Sequence, residues 1–494
     1  MTKQYPSIFN DVLGPVMRGS SSSHTAAAVR IGRVLFQLRR PGKTKVDFYF
    51  TEGSSIAQTY HTQQSDIGLA AGLLGLEADD ERLLSALDLL PAAGLEVNFN
   101  IVPGEITHPN AYQARLLNGD GSQYMLTLLS TGGGMIELVK FQDLELSEDC
   151  GFHLALLANA DDSDWLVIRS EKAFTAEEEA KFELKSPEVV YLSPVMPIGS
   201  QLKPEVPFTS VPELKALAHD KGLNAYQAAL LYESQRSGLS SAVLSEMMDS
   251  ILTIMEKAVA TGLAGTNFSD RMLGPQAYKI LANANKIVGG EVIQNIIANI
   301  TAVMEVKSSL GVTVAAPTAG ACGVIPGTIL SVGKAVNADR DTIIEALFVA
   351  GLIGVFIATD STFSAELAGC QAECGSASGM SAGAIAHLQG GDLDTVLNAA
   401  SLALQNIIGM VCDPVAGRVE VPCLGKNILA GSNALCCANM AISGFDAVIP
   451  LDETIKAMDE AGRMLPAALR CTAVGGLAVT ESAQRIQQML DQKQ

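Results

Sequence analysis

The chain has 494 residues, enough for two or three domains and a sizeable core. Hydrophobic residues make up 48% and charged residues 17%, a balance that demands extensive burial in a large helical core or in subunit contacts. The net charge of −20 excludes binding to a phosphate backbone, which needs clustered Lys and Arg, and favours a soluble cytoplasmic protein kept apart by self-repulsion.

In chain order, MTKQYPSIFND carries charged and polar residues where a signal peptide would need an apolar stretch. Residues 1–195 then mix two periods. SHTAAAVRIGRVLFQL and DIGLAAGLLGL are helical by spacing. KVDFYF, LEVNFNIV, QYMLTLLS and HLALLAN alternate or run apolar as strands do. The expectation is an α+β domain. HLALLANADD followed by WLVIRS reads as a hairpin, and AEEEAKFELK as either a charged helix or an exposed strand. The proline-rich residues 196–210 read as a linker, because X-Pro steps disfavour helix. Residues 211–494 carry helical periodicity throughout, and from about Asn285 the helices become apolar on all sides and rich in Ala and Gly. This predicts a compact all-α domain whose chemistry sits in loops between buried helices. Ile343 to Thr359 approaches transmembrane length, but Glu345 lies inside it and no basic flank follows, so it reads as a buried helix rather than a span.

The strings able to carry chemistry follow the same order. GSSSSHT offers the hydroxyls of Ser21, Ser22, Ser23 and Thr25 and open backbone N–H groups ahead of a helix, a cradle for a carboxylate or simply an N-cap with spare serines. His24, inside that turn, is the first candidate for a catalytic base. THPN holds His108 and Asn110. STGGGM, with Gly132 and Gly133, is either a tight turn needing glycine dihedrals or a set of N–H donors aimed at a carboxylate. PTAGACG holds Thr318 and Gly320, and taken alone it and THPN are turns around proline.

The nine cysteines are odd in number and scattered in apolar contexts, which points to a reducing compartment rather than a disulfide framework. Three of them, Cys370 in AGCQAE, Cys412 in VCDPVAG and Cys423 in VPCLGKN, are either ligands of an iron–sulfur cluster or ordinary buried thiols. Asp413 and Pro414 place Cys412 at a helix C-terminus, Pro422 sets an extended backbone before Cys423, and Cys370 precedes a helix start. Cys374, one turn from Cys370, is its rival; Glu366 and Glu373 flank it and could orient an ammonium group or serve as caps. Cys150, Cys322, Cys436, Cys437 and Cys471 read as structural thiols.

GCQAE, CDPVAGRVEVPC, AAPTAGACGVIPG and GSSSSHT together resemble the iron–sulfur-dependent L-serine ammonia-lyases (L-serine dehydratases). The resemblance covers nearly the whole chain in the order of fused enzymes, small domain first and cluster domain second. It implies a [4Fe–4S] cluster on Cys370, Cys412 and Cys423, with one iron open to act as a Lewis acid on a small amino acid; the apolar composition adds the expectation of a homodimer, and the charge and the buried-helix reading that of neither nucleic acid nor membrane as partner. It also implies that the serine run, His108, Asn110, Thr318 and Gly320 line the substrate.

Three positions depart from the pattern. The family's GHGTD-like string reads TQQSD, with Gln63 at the histidine, leaving His61 as a substitute base that in a strand would share Gln63's face. Lys307 stands at an asparagine position, able to pair with a carboxylate, act as a base or face solvent, and Ser20 stands at a proline. The terminal DQKQ has no cysteine to occupy an open iron. Retained ligands with altered recognition leave room for another β-substituted acid, such as L-cysteine or L-threonine, or for an inactive binding paralogue. A pyridoxal-phosphate enzyme would need a Ser-x-Lys-x-Arg-Gly-like string, which is absent.

Overall fold

The computed structural model describes residues 5–159, 165–268 and 271–491. The terminal Gln492–Gln494 of DQKQ lie outside them. Contacts divide the chain into two compact units, Ser23–Pro204 and Tyr5–Ser22 with Glu205–Gln494. The division differs from a contiguous one, because the N-terminal stretch Tyr5–Ser22 belongs to the second unit.

The first unit is α+β. Its main sheet has six strands in the spatial order Leu95–Val102, Thr44–Thr51, Ala111–Asn118, Gln123–Gly132, Met135–Phe141 and Leu144–Glu148. The first pair is parallel, with Phe48 opposite Phe99, and the rest are antiparallel. A parallel pair requires a crossover, and here it carries the helices Ser55–Thr59 and Ser65–Leu73. Alternation in TKVDFYFT turns Val46, Phe48 and Phe50 into the core. The helix Ala27–Phe36 lies against Ser65–Leu73. A second, antiparallel sheet joins Val189–Leu192, His153–Ala158 and Trp165–Ser170. HLALLAN and WLVIRS are therefore paired, and residues 160–164 between them lie outside the described residues. AEEEAKFELK is a helix, Ala176–Glu183, because Thr175 and Glu178 close a capping box at its start.

The second unit is largely helical. At its centre the helix Ser376–Leu388 is buried on nearly every side, walled by Val324–Val336, Arg340–Asp360, Leu393–Gln405 and Cys423–Ile442. Small residues (SASGMSAGAIA) allow this close approach, and Ser378 meets its polar need by donating to the Ala430 carbonyl. Two helical stretches, Ala319–Val336 and Arg340–Asp360, are long and apolar enough to cross a membrane; their most apolar windows are 78% and 72% buried inside the protein, as core helices are. The unit is not purely α. Val16–Met17 pairs antiparallel with Thr313–Val314, a strand pair that two-residue segments give no periodicity to reveal. The same N-terminal stretch is anchored where Ser7 Oγ and the Ile8 N–H donate to Glu233, at 3.0 and 2.8 Å, and Phe9 meets Phe348 edge to face.

Candidate metal centre

Cys370 stands at the head of a π-turn, Gln371–Gly375, that runs into the central helix. Gln371 fixes this turn from inside the core. Its backbone N–H donates to the Met410 carbonyl at 3.1 Å, its Oε1 accepts the Gly409 N–H, and its Nε2 donates to the Met458 carbonyl, both at 2.7 Å. The segment before Cys412 is thereby bound to the segment around Cys370. Cys370 packs with Cys412, Cys471 and Ala365, and Cys374, one turn on, packs with Ala321, Val324 and Ala377 while its sulfur stays in reach of Cys370 and accepts from Asn427 Nδ2 at 3.6 Å. Hydrogen bonds from the Cys374 and Cys412 thiols hold Cys370 well below the ordinary thiol value.

Cys412 is not at a helix end, as Asp413 and Pro414 suggested. The preceding helix stops at Gln405, and Cys412 is extended, its N–H donating to the Leu469 carbonyl at 2.8 Å. Cys423 is the first residue of the helix Cys423–Ile442, so Pro422 precedes a helix rather than a strand. The helical register brings Lys426 and Asn427 one turn on, beneath Cys423. Lys426 Nζ donates to the Val411 carbonyl at 2.6 Å and to Asp413 Oδ1 at 2.7 Å, clasping both neighbours of Cys412. Burial alone would lower this lysine, but the negative charge at Cys370 and the bond to Asp413 hold it above its usual value. Asn427 Nδ2 donates to the carbonyls of Gly320, at 2.7 Å, and Cys423, at 2.9 Å, tying PTAGACG to the same centre.

Beside these sulfurs lies a carboxyl. Cys370 Sγ is 3.9 Å from Glu373 Oε2, and the ligand atoms of Cys370, Glu373 and Cys412 all fall within 4.8 Å of one another, a group able to hold a metal ion. Thr318 Oγ1 donates to Glu373 Oε1 at 2.7 Å. A Cβ at Gly320 would stand 2.6 Å from that same carboxylate oxygen, so only glycine leaves it room. Burial, then the Cys370 charge, raise Glu373 well above the usual carboxyl range. Ser22 Oγ accepts the Ala319 N–H, placing one member of the serine run on this loop. Lys307 is fully buried, and its Nζ donates to the Val419 carbonyl; it neither pairs with a carboxylate nor faces solvent. Glu366 is held by Ser364 Oγ at 2.7 Å.

The remaining candidates, Ser21 apart, belong to the first unit. His24 is fully buried. Thr59 Oγ1 donates to the Ser55 carbonyl at 2.7 Å, so at 2.8 Å from His24 Nε2 it can only accept. A neutral imidazole meeting a hydroxyl so engaged would hold its proton on Nε2. Thr25 Oγ1 donates to the Gln63 carbonyl and Ser130 Oγ to that of Ser23. Ser21 is also buried. Gln63 and His61 lie in a turn between two helices rather than in a strand, and they do not share a face. Gln63 is buried, while His61 is exposed with its Nδ1 2.6 Å from Asp66 Oδ2. Asn110 is buried, and its backbone N–H donates to His108 Nδ1. The side-chain nitrogen and oxygen of Asn110 and the Gln63 Nε2 have no hydrogen-bond partner among the described residues. Gly132, Gly133 and Gly134 all take positive φ in the hairpin turn between two strands, which is the dihedral reading of STGGGM, and Arg30 binds the Gly134 carbonyl.

Sequence reasoning missed Gln371, Asp413, Lys426, Asn427 and Thr59. For Lys426 and Asn427 the signal was present, at three and four residues after Cys423 on a helix. Of the five cysteines read as buried structural thiols, Cys436 is exposed and Cys471 touches Cys412.

The family described as Serine dehydratase alpha chain matches residues 220–478. The probable L-serine dehydratase alpha chain of Bacillus subtilis (strain 168) is 37% identical over 285 residues, spanning 57% of this chain and 95% of that one. The L-serine dehydratase alpha chain of Peptoniphilus asaccharolyticus is 33% identical over 277 residues, 56% of this chain and 95% of its own. L-serine dehydratase 1 of Escherichia coli (strain K12) is 26% identical over 501 residues, 93% of this chain and 96% of its own.

Proposed function

We propose, on the premise that this chain belongs to the serine dehydratase alpha chain family, that it is an iron–sulfur enzyme removing water from L-serine to leave pyruvate and ammonia. The reaction class is that of a carbon–oxygen lyase. The observation that carries the cofactor reading is the meeting of two sequence-distant thiols, Cys370 and Cys412, with Lys426 clasping Cys423's helix to the Cys412 segment. Soft, buried thiolates beside a buried cation suit iron–sulfur ligation better than hard metals. When bound, a [4Fe–4S] cluster supplies a Lewis-acidic iron for a hydroxyl and a carboxylate.

The protein's own part is positioning and proton handling. Cys370, Cys412 and Cys423 serve as the ligands, and Lys426 offsets their negative charge. Thr318 and Gly320 hold the Glu373 carboxyl in place next to Cys370. We assign removal of the substrate's α-proton to His24, whose ring Thr59 holds at 2.8 Å. The departing hydroxyl leaves as water; the enamine that remains tautomerises and takes up one water to release ammonia. The reading includes a homodimer in the cytoplasm, on the strength of the apolar, acidic composition.

A second reading keeps the chemistry and changes the substrate. Gln63 stands where the resembled family has a histidine, and its buried amide has an unmet donor, which favours a different β-substituted amino acid. Anaerobic purification with iron and sulfide analysis, followed by product assays on L-serine, L-threonine and L-cysteine, tests both. Four irons per chain and pyruvate from serine are expected. A chain without iron or sulfide overturns the cofactor reading; iron with turnover only on another acid leaves the second.

A further inference from the structure

We propose that Glu373 receives the α-ammonium group of the substrate and makes the site select an amine over a hydroxyl, an inference that rests on the amino-acid reading above. In the turn Gln371–Gly375, Gln371, Ala372, Cys374 and Gly375 are buried and Glu373 alone is half-buried. Its carboxyl is therefore the one side-chain group of the turn within reach of a ligand.

The two carboxyl oxygens are held differently. Oε1 accepts the Thr318 hydroxyl at 2.7 Å, and the bare backbone of Gly320 gives that oxygen its room. Oε2 has the Cys370 thiol, 3.9 Å away, as its donor. A sulfur that ligates iron does so as thiolate and has no proton to give. In the loaded enzyme Oε2 thus keeps an open lone pair beside the metal centre. The backbone keeps it aimed there, because the Glu373 N–H donates to the Cys370 carbonyl at 3.2 Å.

Charge decides what that lone pair takes. Among the described residues no Lys, Arg or His forms an ion pair with Glu373. The cations of the centre are spent elsewhere: Lys426 on Asp413 and the Val411 carbonyl, Lys307 on the Val419 carbonyl, Arg271 on Glu420. A carboxylate withdrawn from water without a countercharge is costly, and a ligand that brings its own ammonium removes that cost. The negative charges of Glu373 and Cys370 repel a ligand's carboxylate from the same spot. A neutral hydroxyl there would leave the carboxylate uncompensated. An α-hydroxy acid therefore lacks the pairing that an α-amino acid gains.

The test uses the full chain, purified and loaded anaerobically, with L-alanine and L-lactate as paired probes. They share a carboxylate and a methyl group, differ as ammonium against hydroxyl, and have no β-substituent to lose. Calorimetric titration of the wild type is expected to show L-alanine binding about tenfold or more tighter than L-lactate. Glu373→Gln should weaken L-alanine roughly a hundredfold and leave L-lactate within about threefold, at unchanged iron content. Glu373→Asp should recover part of the preference. Thr318→Val, which keeps the charge and frees Oε1, should weaken L-alanine alone, by about fivefold. Equal affinities in the wild type, or none that registers, overturn the proposal even if no variant folds. So does an equal weakening of both probes in Glu373→Gln, the result a merely structural role gives, and so does loss of iron from that variant, which would make Glu373 a ligand. A wild type that prefers L-alanine through Glu373 yet holds no iron removes the cofactor reading and keeps this proposal. One that holds iron and converts serine without the preference does the reverse.

Discussion

Ser22 Oγ accepts the Ala319 N–H at 3.1 Å, although 297 residues separate the two in the chain. Both are buried, and the bond seats the serine run on the loop whose next residue, Gly320, lies against Glu373. Ser22→Ala leaves a buried N–H without its acceptor, at about 1–3 kcal/mol. We expect a lower denaturation midpoint and a raised KM for serine. A thermal melt and a pyruvate assay check the two separately, and an unchanged midpoint contradicts the assignment.

Cys370 and Cys374 differ by one turn and by what they face. Cys370→Ser is expected to abolish visible absorbance and turnover. Cys374→Ala, which empties a site among Ala321, Val324 and Ala377, should keep both with a stability loss of about 1 kcal/mol. Iron analysis and absorbance of the two anaerobic variants decide it; the reverse pattern would exchange their roles.

For Thr59→Val, loss of the acceptor frees the His24 tautomer, and kcat should fall about tenfold, a fraction of the roughly 10²–10⁴ a general base contributes. Iron content should stay at the wild-type level, and Thr59→Ser should restore the rate. His24→Ala should keep the absorbance and remove turnover, which separates loss of the base from loss of the cofactor.

Gly320→Ala drives a methyl group to 2.6 Å from Glu373 Oε1. Turnover is expected to fall by at least an order of magnitude while absorbance persists, since no sulfur ligand is touched. Measuring rate and absorbance on one preparation distinguishes a displaced carboxyl from a lost cluster.

Lys307 gives a signed pH dependence. Burial lowers its ammonium below 10.5, so the folded chain holds this proton less tightly than the unfolded one. The stability the residue allows is whole above 10.5 and is lost as pH falls through its folded value. Lys307→Met removes that penalty and also the partner of the Val419 carbonyl. The readout is therefore the slope: unfolding free energy from denaturant titrations should decline less, on going from pH 10 towards neutrality, in the variant than in wild type.

Where periodicity was regular, the residues foretold the fold. LEVNFNIV became the strand Leu95–Val102 residue for residue, and the all-apolar helices after Asn285 pack around Ser376–Leu388. The strings around Cys370 and Cys412 stood out as long motifs, and the fold brings those two thiols together. What stayed hidden depends on approach through space. Cys471 meets Cys412 by a two-bond backbone bridge, and Val16–Met17 is too short to show alternation. TQQSD read as a strand face because its polar residues carry no period, whereas it is a turn between helices.

The stretch from Tyr5 to Ser22 has a practical consequence for anyone dividing this protein. Severed at residue 204, the downstream portion would forfeit Ser7 and the Ile8 amide as companions of Glu233, a carboxylate stranded in the interior with Arg236. It would also present Thr313–Val314 as a raw edge. A rearranged polypeptide, with that leading segment grafted ahead of Glu205, keeps both contacts and, lacking His24, isolates the metal centre from the proposed base.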